Sequence, residues 1–473
     1  MHIIFLNPQG NFDQEDSHLT EHPDFGGQLV YVKELAHAMA ELGHNVDIVT
    51  RRIRDNKWPE FAADQESYKS SPKTLRILRF PCGGDKFLEK EQLWPHIPEL
   101  ITNMLNFYGD MRPDFVTAHY ADGGYGAALT QIKTGIPFTF TGHSLGAQKL
   151  DKLGTNKVNW PKMEARFNFS KRIAAERISM QNAARIIVST GQEKEEQYSH
   201  HLYNDAINSS DKSRFAITPP GVNESIFSTK ETELDNQIKP KLEAEFGEDA
   251  RPGIVISSRL DEKKNIIGVL KAVAETRHLS EKAQIILCVR GIECPERDIG
   301  KLSNSEQTVL KEILELLATA NIRQQTHFLN IGSQLELAAT YRFFAQRGSV
   351  FALTSLYEPF GLAPIEAAAT GLAPVVTKNG GPSEIFADGS GILVDPFVPS
   401  NIGQGLMDGL ERHYELSQAA MRRVNEVYTW QNTAAGYLSV IENVGTAKKS
   451  NTEEEPLKLD ENKRIIKYLE GQA

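Results

Sequence analysis

Short apolar runs separated by amphipathic helical segments recur along the whole chain, which is the pattern of parallel sheets wound by strand-helix units. In the first half the runs fall at residues 2–6, 46–50, 75–80, 115–118, 138–141, 186–189 and 215–218. In the second half they fall at 253–257, 284–289, 327–330, 350–354, 374–377 and 391–394. After the first run, Leu29, Val32, Leu35, Ala36, Met39 and Leu42 share one helical face, and Gly43 ends that helix. Pro219-Pro220-Gly221 interrupts the series, and the charge-rich segment up to about Arg251 predicts a helix and a crossing region. The expected fold class is therefore α/β, with two doubly wound Rossmann-like domains facing a cleft, 1–222 and 223–424. Residues 425–473 are a candidate to pack back on the first domain. The tail beyond Gly445, with Lys448, Lys449 and the acidic run Glu453 to Glu455, reads as solvated and either partly helical or, the favoured expectation, a loose terminus.

Composition narrows the function classes. A chain of 473 residues can bury two large cores, and its net charge of -10 argues against general binding to nucleic acid or anionic membranes. The three cysteines, Cys82, Cys288 and Cys294, have neither disulfide-framework nor zinc-site spacing, which fits a reducing cytoplasm. No apolar run approaches membrane-spanning length, and the chain enters its first strand without a basic leader, so nothing is expected to target it elsewhere.

The densest candidate chemistry lies between Ser355 and Glu366, where a buried strand is expected to turn into a helix. Glu358 falls in the loop, and Glu366 falls one turn inside a helix that Pro364 is suited to start. Between them Gly361, Leu362 and Ala363 offer backbone N–H groups at a helix N-terminus, a seat for an anionic group. Two hydroxyl acceptors around a phosphate seat match the order of groups on a sugar nucleotide. The preceding strand end supports such a site, since ligands of open α/β sheets bind beyond the carboxyl ends of strands.

Two further segments complement it. In Ser257-Ser-Arg-Leu-Asp-Glu-Lys-Lys-Asn265, Arg259 can fork onto phosphate oxygens and Lys264 can add a point charge. Together they can neutralise a pyrophosphate without a metal. No Asp-any-Asp motif is present to hold an ion, and no metal site is expected. Near the start, Asp24-Phe-Gly-Gly-Gln28 leads into a helix and lets a ligand approach the backbone at Gly26 and Gly27. It lacks the spacing of a dinucleotide fingerprint, so NAD binding is disfavoured.

A rival reading rests on Gly142-His-Ser-Leu-Gly146, which fits the nucleophile elbow of α/β hydrolases and follows a strand. Ser144 would then be a nucleophile. The polar residues Gln148, Lys149, Asp151 and Lys152 that follow speak against the buried helix such an elbow needs. Basic residues concentrate in the first half, at Lys86, Lys149, Arg166, Lys171 and Arg172, and would suit a phosphorylated acceptor if they line the cleft.

Glu358-Pro-Phe-Gly-Leu-Ala-Pro-Ile-Glu366 resembles the glutamate-any-seven-glutamate signature of retaining glycosyltransferases with the GT-B fold. Asn7-Pro-Gln-Gly-Asn-Phe12, Thr20-Glu-His-Pro-Asp-Phe-Gly-Gly-Gln-Leu-Val30, Gly83-Gly-Asp-Lys86 and Thr141-Gly-His-Ser-Leu-Gly146 are together similar to bacterial sucrose-phosphate synthases, over about residues 1–445. The resemblance implies a metal-independent retaining glucosyltransferase that joins UDP-glucose to fructose 6-phosphate and needs no cofactor. It implies that Arg259 and Lys264 hold the donor pyrophosphate, Glu366 meets the donor ribose, and Glu358 meets sugar hydroxyls. Gly27 and the helix start at Gly361, Leu362 and Ala363 complete the donor set, and His143 sits close to the transferring carbon. Gly26, Gln28, Lys86, Tyr120, Ser144, Lys149 and Arg172 are the candidates for the acceptor. Plant members carry regulatory extensions and a phosphatase-like domain that this sequence does not show, so a minimal synthase is expected, with a separate phosphatase as partner for the product.

Mannosylfructose-phosphate synthase, with GDP-mannose as donor, and sucrose synthase, with free fructose as acceptor, remain open alternatives. A noncatalytic sugar-nucleotide sensor is the alternative from another class.

Overall fold

The computed structural model describes residues 1–14, 24–69, 71–444 and 457–471, and the chain divides into two compact units, Met1–Pro219 with Trp430–Ala473, and Pro220–Thr429. In the first unit the strands are β1 (His2–Leu6), β2 (Asn45–Arg51), β3 (Gln65–Glu66), β4 (Leu75–Phe80), β5 (Phe115–His119), β6 (Phe138–Thr141), β7 (Arg185–Val188) and β8 (Phe215–Ile217). They form one sheet in the order β3-β4-β2-β1-β5-β6-β7-β8, parallel except where β3 runs against β4. Successive side chains of a strand point to opposite faces, and the burial follows that rule. Ile4 and Leu6 of β1 enter one core with Val116 and Phe138, whereas Ile3 and Phe5 enter the other with Val46 and Ile48.

The strand order reverses between β1 and β5, so the loops after those two strands diverge and leave a crevice at their carboxyl ends. Helix Gly27–Glu41 follows the loop after β1, and helix Tyr120–Thr134 follows β5 directly. The helix Trp430–Glu442 belongs to this unit and joins its core through Trp430, Ala434, Tyr437, Leu438 and Ile441. The expected loose tail is corrected in part: Lys448, Lys449 and Glu453 to Glu455 lie outside the described residues, but Asn462–Gly471 is a helix. Ile465 and Leu469, one turn apart, are buried against the first core. Arg177 Nε donates to Glu461 at 3.0 Å, and Trp160 Nε1 donates to Asn462 at 3.0 Å, which ties the helix start down.

The second unit contains β9 (Gly253–Ser257), β10 (Gln284–Cys288), β11 (Thr326–Leu329), β12 (Val350–Leu353), β13 (Ala373–Thr377) and β14 (Ile392–Val394). Its fully parallel order is β11-β10-β9-β12-β13-β14, with the reversal between β9 and β12. Ile254 and Ile256 enter one core and Val255 the other. The loop carrying Arg259 and Lys264 leaves β9, and the loop carrying Glu358 leaves β12. Both therefore open at the switch point of this sheet.

Candidate active site

In the second unit, Lys264 Nζ donates to Glu358 Oε2 at 2.6 Å, joining the loops after β9 and β12. Local backbone geometry holds the two loops. Asn265 adopts a left-handed conformation (φ 54°) and its Nδ2 donates to the carbonyls of Thr354 at 3.0 Å and Pro396 at 2.8 Å. Leu356 N donates to Lys263 O at 2.9 Å. Behind Glu358, Gly380 has φ 97°, and a Cβ there would stand 2.0 Å from the Glu358 carbonyl oxygen. Only glycine lets the loop after β13 approach so closely.

The helix is Leu362–Ala369, starting two residues before Pro364, and Gly361 caps it in the left-handed region at φ 101°. The N–H groups of Gly361, Leu362 and Ala363 stand at the start of the helix, where no intrahelical acceptor is available. Glu366, partly exposed, has no side-chain partner among the described residues. Burial pushes its carboxyl up to about 7. Arg259 is exposed, and its guanidinium makes no ion pair or hydrogen bond among the described residues. Around these loops, among the described residues, the Arg259 guanidinium is free, the Lys264 ammonium is already neutralised, and the helix start has free donors.

In the first unit the candidate residues gather around the reversal between β1 and β5. Gly26 precedes helix Gly27–Glu41 in extended conformation, without a side-chain cap, and a Cβ added at Gly26 or Gly27 would meet no protein atom. Packing does not require glycine at either position. Gln28 Nε2 donates to Asn7 Oδ1 at 2.5 Å, which fixes it to the loop after β1. Tyr120, at the start of the next helix, lies under the Arg172 guanidinium, 4.7 Å from ring centroid to carbon. Arg172 is buried, pairs with Glu176 at 3.0 Å, and donates to the carbonyl and the hydroxyl of Ser144 at 2.7 and 3.1 Å.

Lys149 makes no ion pair among the described residues. Its ammonium lies 4.2 Å from the Phe167 ring centroid. Burial, and the neighbouring charges of Arg172, Lys90 and Arg166, push its pKa down to about 8. Lys86 is exposed, and only its carbonyl is engaged, by Arg51 at 2.7 Å. Lys90, four residues on, is the lysine that reaches this cluster: its Nζ pairs with Asp24 at 2.6 Å, and its charge acts on both Tyr120 and Lys149. Sequence reasoning missed Lys90. It also missed Asp122, a buried carboxyl pushed up to about 7 by burial, whose Oδ2 has no partner among the described residues. The available signal was the run His119-Tyr-Ala-Asp-Gly-Gly124 at a strand end.

The hydrolase reading fails on geometry. The residue in the left-handed region is His143 (φ 56°), not Ser144, and the Ser144 hydroxyl meets a guanidinium, not an imidazole. His143 Nε2 instead lies 3.0 Å from His119 Nδ1. The His143 ring packs edge-on to Tyr31 at 4.9 Å, and burial pushes its pKa down to about 3, so the imidazole is neutral. Tyr31 is braced in turn by Tyr437 at 3.0 Å, whose hydroxyl also meets Thr141 Oγ1 at 2.7 Å.

Among the described residues no group of three His, Cys, Asp or Glu side chains is arranged to hold a metal ion, and no helix is long and apolar enough to cross a membrane. All three cysteines are unpaired.

Comparison with known proteins gives this geometry a context. Residues 239–424 match the family of glycosyl transferases group 1, and residues 26–204 match the glycosyl transferase 4-like domain. A probable sucrose-phosphate synthase of Thermosipho melanesiensis is 44% identical over 444 residues, 93% of this chain and 96% of that protein. Sucrose-phosphate synthase 4 of Arabidopsis thaliana is 30% identical, over 93% of this chain and 48% of that protein, so the chain spans about half the length of its plant relatives. Among solved structures, the sucrose-phosphate synthase of Thermosynechococcus elongatus superposes with a TM-score of 0.68 at 21% identity, covering 93% of this chain and 98% of that one. Anabaena HepE, solved in complex with UDP-glucose, gives a TM-score of 0.60 at 14% identity, covering 93% and 99%. Both superpositions show the GT-B fold.

Proposed function

The chain belongs to the sucrose-phosphate synthase family of glycosyltransferases, and from that premise we propose that it transfers glucose from UDP-glucose to fructose 6-phosphate with retention, giving sucrose 6-phosphate and UDP. The observation that carries the acceptor assignment is Lys149. In a chain of net charge -10, it is a partly buried ammonium that makes no ion pair among the described residues, and the nearby charges of Arg172, Lys90 and Arg166 outnumber that of Glu91. An acceptor phosphate would supply the missing anion, and free fructose would not. The GDP-mannose alternative differs in base and sugar contacts, and the UDP-glucose complex of a protein of the same fold favours the uridine donor.

On this reading the second unit holds the donor. Arg259 and Lys264 take the pyrophosphate together with the N–H groups of Gly361, Leu362 and Ala363, Glu366 takes the ribose, and Glu358 takes sugar hydroxyls. In the first unit Gly27 approaches the donor, while Gly26, Gln28, Tyr120, Ser144, Lys149 and Arg172 serve the acceptor, with Lys90 beside them and Lys86 at the margin. Departure of UDP places negative charge on its terminal phosphate oxygen, and donors already aimed there lower the barrier without reorganising. Glu358 is tied to Lys264 and to sugar hydroxyls, so the acceptor hydroxyl attacks from the face that the leaving group departs, and a phosphate oxygen of that group takes the proton. The product keeps its phosphate, so a separate phosphatase is the class of enzyme that would consume it. The three cysteines, none in a disulfide, fit the cytoplasm.

The test is the anomeric configuration of the disaccharide phosphate made from UDP-glucose and fructose 6-phosphate, read by NMR. An α-glucosyl product, with no trapped glucosyl adduct on Glu358, supports the reading. A β-linked product or a Glu358 adduct overturns the mechanism.

A further inference from the structure

His119 ends β5 fully buried, and its two ring nitrogens are both engaged. Nε2 lies 3.2 Å from Thr117 Oγ1, two residues back along the same strand, and Nδ1 lies 3.0 Å from His143 Nε2. Phe5 stacks parallel to the His119 ring at 5.5 Å, so the ring cannot easily turn. A neutral imidazole has one nitrogen that donates and one that accepts, so the three groups form a chain with two possible directions.

In one direction the Thr117 hydroxyl donates to His119 Nε2, His119 Nδ1–H donates to His143 Nε2, and His143 carries its own proton on Nδ1. In the other direction every proton shifts the opposite way, and the Thr117 hydroxyl hydrogen is left pointing at nothing. Thr117 is fully buried and has no other partner among the described residues. An orphaned buried donor is the costlier arrangement. The first direction leaves only His143 Nδ1–H without a protein partner, and the His143 ring is partly exposed. Both rings are held neutral, because burial pushes His119 well below the usual histidine range and His143 down to about 3.

We propose that His119 is a positioning residue which, oriented by the Thr117 hydroxyl, locks His143 in the Nδ1-protonated neutral form, so that His143 presents a hydrogen-bond donor to the sugar and never serves as a general base. His143 then steadies a sugar or phosphate oxygen by donation while the proton of the acceptor hydroxyl leaves by another route, which agrees with transfer to the departing phosphate. The catalytic consequence rests on the function proposed above, but the tautomer is a property of the protein alone.

The experiment separates the two. Protein labelled with nitrogen-15 at histidine is read by long-range proton-nitrogen correlation, with His143→Asn and His119→Asn used only for assignment. His143 is expected to show a protonated Nδ1 and a bare Nε2, and His119 a protonated Nδ1. A protonated Nε2 on His143, or a charged ring at neutral pH, overturns the proposal.

Thr117→Val keeps the shape of the side chain and removes its hydroxyl. His119 Nε2 then has no partner among the described residues in either direction, so we expect the preference for the first direction to narrow, shifting both His143 nitrogen signals, and kcat to fall by roughly three- to tenfold with little change in KM. Thr117→Ser is expected to restore both readouts. Unchanged His143 signals in Thr117→Val would overturn the relay. Absence of turnover in the unaltered protein would count against the glucosyltransferase reading, with the nitrogen signals still deciding the relay.

Discussion

The two units both gather charged side chains near a strand-order reversal, the second on the loops after β9 and β12 and the first on and around the helices that follow β5 and β6, yet they differ in the setting of the cation left without a carboxylate. In the second unit Lys264 and Glu358 pair at 2.6 Å, while the exposed Arg259 makes no ion pair among the described residues. In the first unit Arg172 pairs with Glu176 and Lys90 with Asp24, while the half-buried Lys149 makes no ion pair among the described residues, and burial, with the charge of Arg172 next, pushes its pKa down to about 8. A pair that neutralises itself keeps loops in place before a ligand arrives, whereas an unneutralised cation holds its charge in reserve for an anion. The contrast teaches that overall charge says little about a site: a chain with 62 acidic and 52 basic residues still leaves Arg259 and Lys149 without an ion pair among the described residues.

The sharpest way to break this comparison is Arg259→Ala. The side chain has no partner among the described residues, so its loss should leave thermal stability unchanged while turnover falls by roughly two to three orders of magnitude, as for removal of one preorganised donor. A parallel fall in Tm would mean that Arg259 is structural.

Next comes Lys149→Met, expected to raise KM for fructose 6-phosphate by roughly tenfold or more while leaving any slow reaction with fructose untouched. In the unaltered protein the ammonium is charged below its folded pKa of about 8, so KM for fructose 6-phosphate should climb as pH rises past that value. The stability effect has its own sign. Between about 8 and the ordinary 10.5 the unfolded chain holds a proton that the folded chain has lost, so stability rises with pH across that window, and Lys149→Met should flatten the slope.

Glycines give the third contrast. Gly27→Ala meets no protein atom and should fold normally, yet lower kcat/KM for UDP-glucose by about tenfold through contact with the ligand. Gly380→Ala meets the Glu358 carbonyl and should cost about 2 kcal/mol or more of stability, measured by denaturant unfolding.

The smallest effect is that of Glu366. With a folded pKa of about 7 against an ordinary 4.5, it keeps its proton in the folded chain after the unfolded chain has released it, so stability falls as pH rises between those values. Glu366→Gln should remove that slope and be the more stable form above pH 7. KM for UDP-glucose in the unaltered protein should fall as pH rises through about 7, where the folded group ionises, because only the carboxylate is a full acceptor for ribose hydroxyls.

Much of this fold was legible because parallel strands are short apolar runs with helical segments between them. β3 was not legible: Gln65–Glu66 is two polar residues held at the sheet edge by pairing with Leu78 and Ile77. The packing of the helix Asn462–Gly471 was not legible for a similar reason, since its fully buried residues are Ile465 and Leu469, helped by the partly buried Ile466 and Tyr468, after a charged stretch. In the candidate site the loops could be placed from the strands before them, but not the partners made across sequence distance. Nothing in the local sequence tells that Lys264 meets Glu358 or that Lys90 reaches Lys149. His119 reads as one more strand-end residue until the fold sets its Nδ1 against His143.

The most direct measurement is UDP release from UDP-glucose with fructose 6-phosphate, run beside fructose with the same donor and beside GDP-mannose with fructose 6-phosphate. The account predicts nucleotide release that depends on fructose 6-phosphate and UDP-glucose together, with far less in the other two reactions. Equal release with fructose, or release only from GDP-mannose, would contradict it.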